Sequence, residues 1–200
     1  LYTAPFEIVN RLRILPVAFM RTLFPEFSSL SSRNNNDAIE VLIVRSMKYV
    51  LLPVGVVALL FMVYAQEILN LWLGSRFAVE ASIVLIFFSA GILINSLAYI
   101  PFNLLQSIGR PDIPAKFHLV EFPIYVILLW YLAKEYQING AAGAWFIRVV
   151  ADFLLQFIGA LKLYPGIIRN LGKRKVLLEF ALLIGFGLLL YLWHLLHLGI

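Results

Sequence analysis

The chain is dominated by long stretches that carry no charged side chain. Residues 49–66, 81–109 and 180–200 contain no Asp, Glu, Lys or Arg. A helix needs about 20 mostly apolar residues to cross the roughly 30 Å of hydrocarbon in a bilayer. Hydrophobic residues make up 62% of the 200 positions and charged residues 14%, against about 45–50% and about 25% in soluble domains. The composition therefore predicts an all-α integral membrane protein. It excludes a disordered chain and, because there is no Cys, a disulfide scaffold.

The pattern predicts six membrane-spanning helices. Two further stretches are apolar with isolated charges, Glu121 in one and Arg148 and Asp152 in the other. A further stretch at the start of the chain, residues 4–25, contains four charged residues. We include it as a span because its polar residues follow a helical pattern. The predicted helices cover residues 4–25, 48–70, 80–107, 116–134, 139–162 and 177–199. We expect the residues between them to form loops, and in 26–47 a short surface helix or a helix that leads into the second span.

The Lys and Arg residues predict the orientation. Residues in alternate loops face the same side of the membrane, and cytoplasmic loops carry an excess of Lys and Arg. One side holds eleven of the 16 basic residues: Arg21, Arg33, Arg45, Lys48, Arg110, Lys116, Lys162, Arg169, Lys173, Arg174 and Lys175. The other side holds two, Arg76 and Lys134. We therefore place loops 26–47, 107–116 and 162–175 in the cytoplasm, with Leu1 and Ile200 outside. This distribution, without an aromatic platform for bases, also argues against nucleic-acid binding.

Polar residues in the first span form a stripe. A helix advances about 100° per residue, which places five polar residues on one face: Thr3, Glu7, Asn10, Arg11 and Arg21. Glu7 and Arg11 are an i,i+4 pair in the favourable order, and Arg13 lies off the stripe. Charged groups at membrane depth usually face a bundle interior or water. The stripe thus predicts a helix that lines a partly cationic cavity, and the alternative is a surface amphipathic helix with outward-reaching Arg side chains.

The fifth span contains Arg148 and Asp152, one helical turn apart. They can share a face and reduce the cost of burying each charge. Arg148 is a candidate to hold an anionic group, and Asp152 is a candidate to take and release a proton or cation. The alternative is a permanent ion pair that fixes the helix register, which often adds little stability.

Glu121, in the fourth span, is a further candidate for coupling to a proton or cation, as is Glu7. The alternatives for Glu121 are a carboxylate that reaches out to the cytoplasmic rim of the membrane and a pair with Lys116. His194 and His197 alone are too few ligands for zinc, so we predict interfacial polar residues, no metal site and no cofactor. The sequence has no Gly-rich phosphate loop, HExxH motif or nucleophile elbow, which indicates that the chain is not an enzyme.

Several segments occur together in a characteristic order. These are YTAPFEIVNRLRILPVAFMRTLFP followed by EFSSLSS, then ILNLWLGSRF, NLLQSIGRPDIPAK and INGAAGAWFIR. The order resembles the C-terminal part of bacterial polysaccharide and O-antigen flippases, in the multidrug/oligosaccharidyl-lipid/polysaccharide exporter superfamily. The resemblance implies that residues 1–200 form most of the C-terminal lobe of a two-lobed, MATE-like transporter. The start at Leu1 and the lack of a signal peptide also lead us to expect a fragment.

The resemblance also implies a function. Such flippases move undecaprenyl-pyrophosphate-linked glycans across the bacterial inner membrane by alternating access, with a polysaccharide polymerase or other assembly proteins as further partners besides membrane lipids. Carried over, Arg11 and Arg148, with Asn10 beside them, are the expected substrate-binding residues. Two alternatives are a cation-coupled small-molecule exporter of the same superfamily and a membrane-embedded glycosyltransferase or ligase. The second is disfavoured because the longest loop, 26–47, has only three carboxylates.

Overall fold

The computed structural model describes residues 2–173 and 176–198, and all regular structure within them is helical. A 3-10 turn, Arg11–Arg13, separates the first two helices. The helices are α1 (Thr3–Asn10), α2 (Ile14–Ser32), α3 (Asn36–Val63), α4 (Ala65–Leu73), α5 (Ser75–Ser107), α6 (Asp112–Leu163), α7 (Gly166–Lys173) and α8 (Val176–Leu198). Four residues used to predict the orientation lie outside the described residues: Leu1, Arg174, Lys175 and Ile200.

Three of the described helices, α3, α5 and α6, are long and apolar enough to cross a membrane. In α8 the described residues contain a shorter apolar stretch, Ala181–His194. The predicted first span, residues 4–25, falls on α1, the 3-10 turn and the first part of α2. The architecture is therefore all-α and of membrane type, and the count of six spans stays a prediction.

The outer surface of the bundle is apolar. Leu119 is 74% exposed and Ile127 is 68% exposed on α6, and Leu189 is 67% exposed on α8. Exposed apolar patches of this extent are rare on soluble monomers. In water these apolar side chains would be unfavourably exposed. In a lipid environment they are not, because hydrocarbon solvates them as well as a protein interior does.

Residues 26–47 are mostly helical, and of the two helices expected there the one that leads into the second span is confirmed. In the structure α2 continues to Ser32 and α3 already begins at Asn36. The side chain of Asn35 caps α3 by accepting a hydrogen bond from the Ala38 N–H at 3.2 Å, which satisfies a backbone donor that a helix start leaves free. Ile39 and Ile43 are fully buried, so the apolar face of this segment extends the second span instead of lying on the surface.

The predicted span 48–70 is divided between two helices, α3 and α4. α3 ends at Val63, Tyr64 leaves the helical conformation with φ −102° and ψ 29°, and α4 follows. Gly74, with φ +86°, then joins α4 directly to α5. Only glycine adopts such a conformation without strain, and this explains why one residue suffices where a loop was expected between the predicted spans 48–70 and 80–107.

α6 is a helical hairpin that reverses at Gln137. This residue has φ 53° and ψ −129°, far from helical values, and it separates a first arm (112–136) from a second arm (138–163). Where the two arms contact each other, higher residue numbers on the first arm pair with lower residue numbers on the second arm. These pairs are Phe117 with Gly159, His118 with Asp152, and Tyr125 with Arg148. The two arms are thus antiparallel, and they cover the predicted spans 116–134 and 139–162.

Two of the predicted cytoplasmic loops, 26–47 and 162–175, come together at one end of the bundle. A buried carboxylate oxygen of Glu40 accepts the Gly166 N–H at 2.8 Å, which joins α3 to the start of α7. Tyr164 is buried beside the end of α2, and its side chain hydrogen-bonds with Ser31. Burial raises the pKa of the Tyr164 phenol, and the hydrogen bond offsets part of this rise. The segments that follow α2 and α6 therefore lie at the same end of the bundle, and the side of the membrane that this end faces stays a prediction.

Candidate functional site

A cavity of about 240 Å³ lies between the 3-10 turn, α5 and the two arms of α6. Its charged or polar lining residues come from all of these elements: Arg13, Asn95, Tyr99, His118, Arg148 and Asp152. Phe6, Ala98, Phe102, Trp145 and Val149 complete the wall. Its charged lining residues are two Arg and one Asp, and the Glu121 carboxylate adjoins the lining residue His118 at 3.3 Å. Arg13 and Arg148 therefore provide guanidinium donors for an anion.

Arg13 reaches this cavity because of the 3-10 turn. Such a turn advances about 120° per residue instead of about 100°, so three residues add about 60° of rotation. The added rotation brings Arg13 onto the face of Asn10, and its guanidinium donates to the Asn10 side-chain oxygen at 3.3 Å. Pro16 lacks the N–H that would bond to the Leu12 carbonyl, which favours the irregular turn at this point.

Tyr99 of α5 holds the Arg13 guanidinium in place. The Tyr99 hydroxyl accepts a hydrogen bond from Arg13 at 2.5 Å, and the guanidinium carbon lies 5.6 Å from the centre of the Tyr99 ring. The Nε of Arg13 is buried without a protein partner. An unpaired buried donor is costly, so this N–H is available for an anionic ligand.

Arg11 and Glu7 do not line this cavity. They border a second hollow of about 610 Å³, which is otherwise mainly apolar and includes Trp72 and Leu73. Their charged groups do not approach within the 4.0 Å of an ion pair. The sequence-predicted stripe is therefore split, with Asn10 beside the first cavity and Arg11 at the second.

Arg148 and Asp152 line the same cavity but do not form the ion pair that their spacing allows. The Arg148 guanidinium carbon lies 5.4 Å from the centre of the Tyr125 ring, a cation–π arrangement. Asp152 instead accepts a hydrogen bond from the Gln156 amide at 3.1 Å. The Arg148 guanidinium is therefore not held in an ion pair with Asp152.

Glu121 faces the second arm of α6. Its Oε2 lies 3.3 Å from His118 Nδ1, which in turn lies 3.7 Å from Asp152 Oδ1. Lys116 pairs with Asp112 at 3.5 Å, so the alternative of a Lys116–Glu121 pair is wrong. Glu121 is only 6% exposed, and sequence reasoning missed that His118 joins the two carboxylates because they come from different arms.

Among the residues that the structure describes, this group is the one in which three metal-ligating side chains converge. The candidate ligand atoms of His118, Glu121 and Asp152 all lie within 4.8 Å of one another. His194, in contrast, has one carboxylate partner, Glu67, at 2.8 Å, and the side chain of His197 lies outside the described part of the chain.

Two curated proteins are similar to this chain. The "Putative O-antigen transporter" of Shigella flexneri is 33% identical over 159 residues, which cover 77% of this chain and 36% of that protein. The "Probable low-salt glycan biosynthesis flippase" of Haloferax volcanii is 26% identical over 202 residues, which cover 96% of this chain and 43% of that protein. The chain belongs to the family of polysaccharide and O-antigen flippases. It spans less than half the length of either relative.

The relatives agree with the structure on the general class of protein. Both carry the names of transporters or flippases rather than of enzymes, which supports the prediction that the chain is not an enzyme. Together with the three apolar helices, they show that the chain is part of a multi-pass membrane protein. No protein-family model and no solved structure matches it.

Proposed function

We propose that the chain is part of an exporter that moves a glycan, carried on undecaprenyl pyrophosphate, across the bacterial inner membrane by alternating access. The observation that carries the proposal is the convergence of Arg13 and Arg148 on one cavity among apolar helices. A pyrophosphate cannot cross hydrocarbon unaided because burying isolated charge is very costly. Arg side chains offset this cost, since a guanidinium donates two parallel hydrogen bonds to phosphate oxygens.

We assign the pyrophosphate alone to this cavity. Its volume of about 240 Å³ lies below the about 300–1,000 Å³ of typical small-molecule sites, which leaves no room for a glycan of several sugars. Arg13 and Arg148 would contact the phosphate oxygens, and Asn10 would position Arg13. Arg11 stays a candidate at the second hollow, where the apolar wall suits a lipid chain beside a charged group. Glu7, Glu121 and Asp152 stay predicted coupling residues.

The test replaces each cationic residue in the natural protein that carries this sequence. Arg13→Ala and Arg148→Ala are expected to abolish surface polysaccharide in a strain that lacks the wild-type gene, because the pyrophosphate loses its partners. Arg76→Ala is the matched control, since this side chain is 96% exposed at the other end of the bundle. Immunoblots of membranes must show equal amounts of all three variants.

Normal polysaccharide with both cavity variants would overturn the proposal. Loss with Arg11→Ala but not with Arg13→Ala would favour the second hollow as the pyrophosphate site. If polysaccharide stays normal while resistance to toxic cations falls, the small-molecule exporter is the better assignment.

A further inference from the structure

A group of three side chains on the two arms of α6 has the donors of a metal site. It offers one imidazole nitrogen, His118 Nδ1, and two carboxylates, those of Glu121 and Asp152. Ligands arranged tetrahedrally around zinc at about 2.0–2.2 Å lie about 3.3–3.6 Å apart. The observed separations from His118 Nδ1 are 3.3 Å to Glu121 and 3.7 Å to Asp152. All three donor atoms lie within 4.8 Å of one another, so the two carboxylates would have to approach each other to bind one ion together with His118.

Two buried oxygen atoms, one within this group and one beside it, lack hydrogen-bond partners. Glu121, 6% exposed, uses one carboxylate oxygen toward His118 and leaves the other, Oε1, unpaired. Gln156, fully buried, donates to Asp152 through its amide nitrogen and leaves its own oxygen unpaired. Buried acceptors without partners are rare and unfavourable. A cation among these side chains would satisfy the Glu121 carboxylate.

The donor set indicates the class of ion. Ca²⁺ takes six to eight oxygen ligands and Mg²⁺ keeps several waters in an octahedral shell, whereas imidazole suits Zn²⁺ and its first-row neighbours. Three protein ligands with one open position are the arrangement of zinc sites that bind a further ligand. His118 and Asp152 both line the cavity, so the open position would lie on the cavity side.

We propose that His118, Glu121 and Asp152 form a binding site for a divalent first-row transition metal such as Zn²⁺, with an open coordination position toward the cavity. The site crosslinks the two arms of the α6 hairpin, because two ligands come from the first arm and one from the second. The inference concerns metal binding and does not depend on which substrate the protein transports.

The test measures metal binding by the natural protein, purified in detergent without a His tag and stripped of metal. Equilibrium dialysis against Zn²⁺ with elemental analysis is expected to give one tightly bound ion, retained in excess Na⁺ and Mg²⁺. His118→Ala and Asp152→Asn are expected to weaken binding at least about tenfold, since each removes a direct ligand. Co²⁺ in place of Zn²⁺ reports the coordination by its absorption spectrum, and this spectrum is expected to disappear in the variants.

The control is His194→Ala, which removes the other described His with a carboxylate partner and is expected to leave the tight site intact. His118 is 41% exposed, so its replacement tests the site without opening the core. Absence of tight Zn²⁺ binding, equal binding by wild type and His118→Ala, or a site that holds only Na⁺ or Mg²⁺ would each overturn the proposal.

Discussion

The α6 hairpin can be tested with two glycines that lie three residues apart on its second arm. A Cβ at Gly140 would overlap the backbone carbonyl of Leu132 on the first arm, whereas a Cβ at Gly143 would meet only a Phe87 ring carbon at 3.9 Å. Gly140→Ala is therefore expected to force the arms apart. Gly143→Ala makes the same chemical change in open space.

The magnitude follows from the difference between these variants. Replacing Gly by Ala favours a helix by about 1 kcal/mol, and this gain cancels because both variants have it. Overpacking costs about 1–3 kcal/mol, and we expect the upper end for Gly140→Ala because a backbone carbonyl cannot rotate away. For a chain of this size, about 3 kcal/mol corresponds to about 6–12 °C in Tm.

Thermal unfolding in detergent, followed by far-UV circular dichroism, measures this difference. Gly140→Ala is expected to unfold several degrees below wild type, and Gly143→Ala at or slightly above it. Equal Tm values for the two variants would refute the close packing of the arms around Leu132 and Gly140, and with it the hairpin that places Asp152 beside His118.

Three further experiments test other parts of the structure. Asn35→Ala removes the N-cap of α3 and is expected to cost about 1 kcal/mol, or about 2–4 °C in Tm. Glu40→Ala leaves the Gly166 N–H without its partner and is expected to destabilise the protein by about 1–3 kcal/mol, measured in the same way. Arg76→Cys is expected to react with a membrane-impermeant thiol reagent added outside intact cells, and Arg110→Cys is expected not to react.

Each of these predictions has a matched control or a contrary outcome. Asn36→Ala changes the neighbouring amide, for which no side-chain bond occurs, and is expected to leave Tm unchanged. Glu26→Ala removes an exposed carboxylate from the same end of the bundle and is expected to have little effect. Labelling of Arg110→Cys but not of Arg76→Cys would reverse the orientation.

The long helices were predictable because their cause is local. Residues 81–109 have no charge. In lipid, a single stretch of this kind satisfies its backbone hydrogen-bonding groups by forming a helix. The loop predicted at 107–116 is also set by local residues, because it contains Gly109, which has φ +78°, together with two Pro residues. In the segment 26–47 the Ser and Asn residues led us to expect a longer loop, whereas Ile39 and Ile43, which pack in the core, belong to the expected helix that leads into the second span.

The site was less predictable because it depends on helix phase and on contacts between helices. Arg148 and Asp152 were singled out from one helix, where their charges conflict with an apolar surrounding. Arg13 was missed because we assumed 100° of rotation per residue along the whole first span, whereas residues 11–13 form a 3-10 turn. Pro16 was the feature of the sequence that indicated an irregular helix there. His118 was noted only as a neighbour of Glu121, because its proximity to Asp152 depends on the reversal at Gln137.

The central claim is that Arg13 and Arg148 together hold a pyrophosphate in the cavity. The most direct measurement is the affinity of the natural protein, in lipid nanodiscs, for undecaprenyl pyrophosphate. Wild type and Arg76→Ala are expected to bind equally, and the double variant Arg13→Ala/Arg148→Ala at least about 100-fold more weakly, because each charge-assisted hydrogen-bonding group contributes about 1.5–3 kcal/mol. Unchanged affinity of the double variant would contradict the account.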